Sequence, residues 1–303
     1  MEKKNKPPKE IRPAATVILV REPESEAGLQ IYLLKRSDKS GFFPGNYVFP
    51  GGALDPDDWD TDFWQGHLDL SGPELADRFG PGLPAEALRA YGVAAIRETL
   101  EEAGVFLARP KKEDSPSEEG ICQPPVPEAL TDGWFRKTVL DGEWGLAFSR
   151  LFPWSHWITP EAMPKRFDTR FFIAAMPEGQ ICRPDERETT HGLWISPRQA
   201  LEENGKGAIP LSPPTLVTLH SLLPFTSLED LTGAAAAHSW GDPILPILHL
   251  TERLRVLIEP WDPDYGREPE IGPGDLTDLI LPVGSPFSRL WMREGIWRPI
   301  KKG

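Results

Sequence analysis

The stretch AAIRETLEEAGV, Ala94–Val105, decides the fold. It places Glu98, Glu101 and Glu102 within five residues, behind Arg97 and ahead of Gly104. At about 100° per residue on a helix, the three carboxylates fall within roughly 100° of one another. Val93, Ile96, Leu100 and Ala103 lie on the opposite side and can face a core. Like charges at these spacings repel, and the C-terminal end of a helix disfavours anions. In a cleft the repulsion grows as the dielectric falls. Two arrangements tolerate such a cluster. One is a solvated acidic face with Arg97 as a surface partner. The other is a bound divalent cation, because hard ions such as Mg²⁺ take carboxylate oxygens.

Working outward, the helix extends back to about Ala85 and ends at Ala103, with Gly104 in the C-terminal αL position. A strand is expected from Val105–Leu107. Upstream, Ala14–Val20 and Leu29–Leu34 read as a hairpin-like strand pair, and YVFPGGALD as a strand entering a glycine turn. Residues 59–88 are acidic and irregular, an insertion with one or two short helices. Downstream, 111–127 is a polar, Pro-rich loop and Glu128–Leu151 has helical spacing. Trp157–Ile158, Thr169–Ala175 and Leu193–Ile195 read as strands, and Ser196-Pro197 as a helix start. Ile244–Ile258 and Leu276–Pro282 are apolar enough for strands or short helices. Trp154, Trp157 and Trp194 are assigned to the core.

The formal charge of −13 argues against a polyanionic partner such as nucleic acid. The 34 prolines, about twice ordinary usage, point to short elements and rigid loops. Cys122 and Cys182 show no metal-ligand spacing, and two thiols in 303 residues suit a reducing compartment. No apolar segment is long enough to span a bilayer, so the expectation is a cytoplasmic protein with no membrane partner. Residues 1–10 read as a disordered basic tail.

Arg97-Glu98, Glu101-Glu102 and Gly104, with Val105 behind, resemble the core of the Nudix box, R-E-U-x-E-E-x-G-U, where U is a bulky aliphatic residue. Thr99 departs from the first U. The box's opening, G-x5-E, resembles VFPGGALDPDD, which counts to Asp58 from Gly52, with Asp55 and Asp57 as neighbouring candidates. About 31 extra residues then interrupt the box before Arg97, at a modest closure cost. With LLKRSDKSGFFPGNYVFPGGALD ahead of the break, RFDTRFFIAAMP and ETTHGLWISPRQAL, the chain from about Ile11 to Leu222 resembles the acyl-coenzyme A diphosphatase branch of the Nudix superfamily.

That resemblance implies an α/β fold, a Nudix α/β/α sandwich around a mixed β-sheet. The Nudix domain would span 11–226, with a C-terminal extension, 227–303, packed on the core. The extension would either close the pocket or form a homodimer contact. The implied reaction is Mg²⁺- or Mn²⁺-dependent hydrolysis of coenzyme A or acyl-coenzyme A to 3′,5′-ADP and (acyl-)phosphopantetheine. Hydrolysis of ADP-ribose, NADH or another nucleotide conjugate is the enzymatic alternative. A non-catalytic nucleotide-binding regulator is the other, although such a module would be expected to lose box glutamates.

In the residue-by-residue implication, Glu98, Glu101 and Glu102 hold metal and the Gly51 carbonyl adds an oxygen. Arg97 orients one of these carboxylates. Glu98 is the first choice of general base and Glu188 the second. Arg36 and Arg170 are candidates for substrate phosphate. His191 is a candidate for adenine or phosphate. Phe42 and Phe43 either frame a pantetheine channel or anchor their loop.

Overall fold

The computed structural model describes residues 10–23, 28–80, 82–111, 123–251, 254–267 and 276–302. The tail expected over 1–10 and the loop expected over 111–127 fall mostly outside these. The chain opens with β1 (Ile11–Arg21), β2 (Gln30–Arg36), β3 (Tyr47–Val48) and β4 (Gly51–Ala53). Two short helices follow, α1 (Thr61–Trp64) and α2 (Gly72–Phe79), then the long α3 (Ala85–Ala103). Next come β5 (Ala108–Pro110), α4 (Trp134–Asp141), β6 (Trp144–Leu146), β7 (Phe152–Ile158), β8 (Arg166–Ala175) and β9 (Thr189–Ile195). The helices α5 (Pro197–Lys206), α6 (Pro213–Leu222) and α7 (Leu228–Ala236) precede β10 (Ile247–Leu250), β11 (Arg255–Ile258), β12 (Arg289–Arg293) and β13 (Ile296–Ile300).

The central strand is β1, and its two faces explain the layers. Ala15, Val17 and Leu19 pack with α3. Ile18 and Val20 pack with Ala200, Leu201, Leu216 and Leu219 of α5 and α6 on the other side. Period-two alternation of apolar residues on both faces is what a strand covered by helices from both sides requires. β1 pairs in parallel with β8 from Ile11↔Arg166 to Val20↔Ala175, while β2, β4, β7 and β9 pair antiparallel with their neighbours. The seven-stranded sheet is therefore mixed, and the architecture is the expected α/β/α sandwich.

The other edge of β1 is shared. β4 takes its first half, at Ala14↔Ala53, and β2 its end, at Val20↔Ile31. Gly51 sits at this change of partner with φ +155°, and a Cβ there would lie 2.3 Å from the Ala15 carbonyl oxygen. A residue other than glycine would force the chains apart at this point.

α3 starts after Pro84 and ends on Gly104, whose φ is +69° and whose N–H donates to the Leu100 carbonyl. The Thr99 departure from the aliphatic pattern is absorbed locally: Thr99 is buried, and its hydroxyl donates to the Ala95 carbonyl at 2.7 Å. The insertion is not a loose loop. Trp64, Leu75 and Phe79 join the core cluster around α3.

Three elements differ from the sequence reading. Only Trp134–Asp141 of the expected helix 128–151 is helical. Gly142 and Glu143, the latter with φ +49°, turn the chain so that Trp144–Leu146 can pair with Ala108–Pro110. That pairing also explains why the strand after α3 begins at Ala108 rather than Val105. Trp194 is only half-buried, packed on Tyr32 at 5.2 Å with the Arg21 guanidinium 4.3 Å from its ring. No helix among the described residues is long and apolar enough to cross a membrane.

β10 to β13 form a separate antiparallel sheet in chain order. Leu257, Leu290 and Trp297 pack toward α5 and α6, and Val256, Ile258, Trp291 and Ile300 form a small cluster of their own. Asn204 ties the layers together: its side-chain amide donates to the Trp297 carbonyl at 2.9 Å and accepts from Leu211 N–H at 3.0 Å.

Candidate active site

The acidic side of α3 faces a cavity, not open solvent. Glu98 and Glu102 are buried and Glu101 is mostly so. Arg97 organises them. Its Nε donates to Asp58 Oδ1 at 3.0 Å and its Nη2 to Asp58 Oδ2 at 2.8 Å, a bidentate pair. Nη2 also donates to the Ala53 carbonyl at 3.0 Å. Nη1 donates to Glu98 Oε1 at 2.8 Å and to Glu101 Oε1 at 3.1 Å. Trp134 Nε1 donates to the same Glu101 oxygen at 3.1 Å. Glu102 Oε2 accepts the Gly51 N–H at 2.8 Å, which joins the glycine turn to the helix. A Cβ on Gly52 would meet the Glu98 carboxylate at 2.6 Å.

Of the three acids ahead of the insertion, Asp58 is the one seated on Arg97. It is 2% exposed and also accepts the Asp55 N–H at 2.8 Å. The bidentate bond spans 39 residues and closes the interruption in space. Asp55 approaches Nη1 at 3.6 Å from a largely exposed position. Asp58→Asn leaves the buried guanidinium one charged acceptor short. A hydrogen bond to a charged group is worth about 1.5–3 kcal/mol, so urea unfolding should show a loss of about 2–3 kcal/mol. A midpoint equal to wild type would show that Asp58 anchors nothing.

The electrostatics are those of crowded anions. Burial pushes the Glu98 carboxyl well above its ordinary range; Arg97 offsets part of this, while Glu101 and Glu102 add to it. Burial also raises Glu101, against the pull of Arg97 and Trp134. It pushes Glu102 up to about 8, partly opposed by the Gly51 N–H and Arg36. Burial works against the Arg97 charge, and its bonds to Asp58, Glu98 and Glu101 outweigh that.

The cavity holds about 1240 Å³ and gathers several of the expected residues. Gly51, Arg97, Glu98, Glu101 and Glu102 line it, with Arg36, Phe42, Phe43 and Glu188. The Ser37 N–H donates to the Glu188 carbonyl at 2.9 Å, which brings the β9 loop against the end of β2. Arg36 Nη2 then lies 3.9 Å from the Glu188 carboxylate, itself 70% exposed. Phe42 and Phe43 are half-buried in their loop. They pack edge-on, 4.5 Å apart, Phe42 contacts Phe167 at 5.2 Å, and both line the cavity.

Two expected residues are not brought there. Arg170 belongs to β8, where Phe167, Thr169 and Phe171 line the cavity and alternation turns position 170 to the opposite face. Its guanidinium lies 5.2 Å from the Trp240 ring and 5.8 Å from Tyr91, so substrate phosphate at the cavity is out of its reach. His191 is exposed on β9 opposite Lys35 and is not among the cavity residues.

Other residues were missed. Arg12 and Lys165 line the cavity, and neither has an ion-pair partner among the described residues. Arg12 leads a row on β1, Arg12, Ala14 and Thr16, that lies beside Phe167, Thr169 and Phe171 of β8. The C-terminal sheet also contributes wall, through Leu248, Leu257, Met292 and Trp297. Only the alternation of a β1 starting at Ile11 could have flagged Arg12.

Among the described residues, no three His, Cys, Asp or Glu side chains stand together as a finished metal centre. Arg97 draws the oxygens of Glu98 and Glu101 toward itself, and Gly51 holds Glu102. The donor set nonetheless fits a hard divalent ion. It consists of oxygens alone, on one cavity wall, with three carboxyls whose burial leaves them short of positive charge.

The NUDT19 Nudix domain family model matches residues 11–222. The human acyl-coenzyme A diphosphatase NUDT19 is 30% identical, over 92% of this chain and 84% of that protein. Its Xenopus laevis counterpart is 27% identical, over 88% and 81%. A crystal structure of a Nudix hydrolase from Alicyclobacillus acidocaldarius superposes with a TM-score of 0.57 at 26% identity, covering 77% of this chain and 99% of that one. With the glutamate row, its arginine and the acid across the insertion all in place, the chain belongs to the NUDT19 Nudix domain family and is a Nudix hydrolase.

Proposed function

We propose that this protein hydrolyses the diphosphate bond of coenzyme A or acyl-coenzyme A, releasing 3′,5′-ADP and (acyl-)phosphopantetheine. The supporting observation is one cavity that joins the α3 carboxylates to cations without an ion-pair partner among the described residues and to an apolar wall, in a chain with acyl-coenzyme A diphosphatases among its relatives. Nudix hydrolases use divalent metal ions. Here Mg²⁺ or Mn²⁺ would be held by Glu98, Glu101 and Glu102, with the Gly51 carbonyl as a further oxygen donor. When bound, such an ion neutralises the diphosphate and makes water more acidic.

The chain's own residues do the rest. Arg97, fixed by Asp58, aligns Glu98 and Glu101. Glu98 accepts the proton as water attacks phosphorus and the bridging P–O bond breaks. Glu188 is the second candidate base, at the cavity beside Arg36. Arg36 faces the diphosphate.

Coenzyme A also carries a 3′-phosphate, which needs a cation remote from the carboxylates. Among the described residues Arg12, Lys165 and Arg255 line the cavity without an ion-pair partner, and Arg12 and Lys165 stand at the paired start of β1 and β8. Arg12→Ala with Lys165→Ala should raise KM for coenzyme A about tenfold, the equivalent of one charge-assisted bond. KM for dephospho-coenzyme A should stay near wild type. Equal changes for both substrates would remove this assignment.

The reaction itself is tested by comparing 3′,5′-ADP release from acyl-coenzyme A with AMP release from ADP-ribose and NADH. A higher kcat/KM on ADP-ribose would reject the coenzyme A reading.

A further inference from the structure

We infer that the C-terminal sheet forms the binding wall for the acyl chain of a thioester substrate. This rests on the coenzyme A reading above and assigns the far end of the same cavity. Cross-strand register puts Leu248 beside Leu257, and Leu257 beside Leu290. It likewise puts Leu250 beside Arg255, and Met292 beside Trp297. These are two adjacent rows on one face of the sheet. The first row packs down on α5 and α6. The second is incompletely covered: Leu250 is 52% exposed, Arg255 is exposed and Met292 only half-buried, and Leu250, Arg255, Met292 and Trp297 all line the cavity.

An antiparallel sheet at a protein surface ordinarily has one apolar face and one solvated face. Here the reverse face is already occupied by its own cluster around Val256, Ile258 and Trp291. The cavity face is therefore a second, mostly apolar surface, interrupted by Arg255 at its open edge, and packing within the chain does not use all of it. It is continuous with the carboxylate end, and the space of about 1240 Å³ exceeds the roughly 300–1,000 Å³ typical of small-ligand sites. A diphosphate needs acids for its metal and cations for its charge, and it has no use for Leu248, Leu250 or Met292. A substrate that is anionic at one end and aliphatic at the other uses both ends. In an acyl-coenzyme A the aliphatic part lies at the terminus farthest from the nucleotide, so it would reach this sheet while the diphosphate meets α3.

The test measures kcat/KM for free, acetyl-, octanoyl- and dodecanoyl-coenzyme A by release of 3′,5′-ADP. In the wild type, dodecanoyl-coenzyme A should exceed acetyl-coenzyme A at least tenfold, carried by KM. In Met292→Gln with Leu248→Gln, the ratio of dodecanoyl- to free coenzyme A should drop at least fivefold. Leu250→Gln, at a side chain already half in water, should lower the same ratio without disturbing folding, and thermal melting checks this. A wild type indifferent to chain length, or a ratio unmoved in folded variants, overturns the inference and leaves coenzyme A hydrolysis standing. If neither free coenzyme A nor any thioester releases 3′,5′-ADP, both readings fall together.

Discussion

Glu102→Gln should reduce kcat for diphosphate hydrolysis about 10³-fold or more, because metal-assisted charge stabilisation at the diphosphate is worth several kcal/mol. The substitution is nearly isosteric. A glutamine oxygen can still accept the Gly51 N–H that Glu102 accepts at 2.8 Å, so the glycine turn should stay in place. What goes is the negative charge. In the metal-free protein that charge is a burden, since burial pushes the Glu102 carboxyl up to about 8. The variant should therefore melt no lower than wild type above pH 8 without metal, yet lose the stabilisation that added Mg²⁺ or Mn²⁺ gives the wild type. Separate measurements of rate and melting distinguish a lost ligand from a lost fold. A folded Glu102→Gln protein with wild-type kcat would remove the metal role from this residue.

The second large effect lies far from the chemistry. Glu259 is fully buried just after β11, and among the described residues neither carboxyl oxygen has a hydrogen-bond partner. Burial pushes it from 4.5 up to about 8. An acid whose pKa rises on folding binds more protons folded than unfolded between those two values. Its contribution to stability is full below about 4.5, falls as pH rises toward 8, and is level above that. A shift of this size corresponds to a change on the order of 5 kcal/mol across the window, at about 1.4 kcal/mol per unit. Glu259→Gln removes the ionisation. Its stability relative to wild type should therefore climb from pH 5 to about pH 8 and level off above that. The site glutamates shift in the same direction, but they are common to both proteins and cancel in the difference. Denaturant unfolding of both proteins at four pH values gives the slope. A pH-independent difference would show that Glu259 is already solvated or paired.

The parts of the site that lie on one continuous helix were legible in the sequence. Glu98, Glu101 and Glu102 share one side of α3, so 3.6-residue periodicity put them together, and the resemblance to the Nudix box added Arg97. Asp58 was reachable by counting from Gly52, because its partner lies across an insertion with both ends held. Arg170 shows where such reasoning stops. A cation near an expected strand looks available until the register of β8 decides its face, and one residue in either direction reverses the answer. Arg12 and Lys165 were missed because the cavity floor is assembled from β1 and β8, which are distant in sequence and paired in parallel. The C-terminal sheet was opaque for a different reason. Its strands are four or five residues long, too short for periodicity to distinguish them from helix, and both faces are apolar.

The arginine that aligns two carboxylates on α3 is anchored by an acid at the near end of the interrupted segment, while α3 forms the far end. Between them, Trp64 and Phe79 are wedged into the same hydrophobic cluster as α3. The added segment is thus a structural dependency of the catalytic machinery rather than spare chain. A cut, an antibody or a lineage-specific change in length that unseats those two rings would reach the reaction centre through Asp58 without altering a single residue that touches substrate.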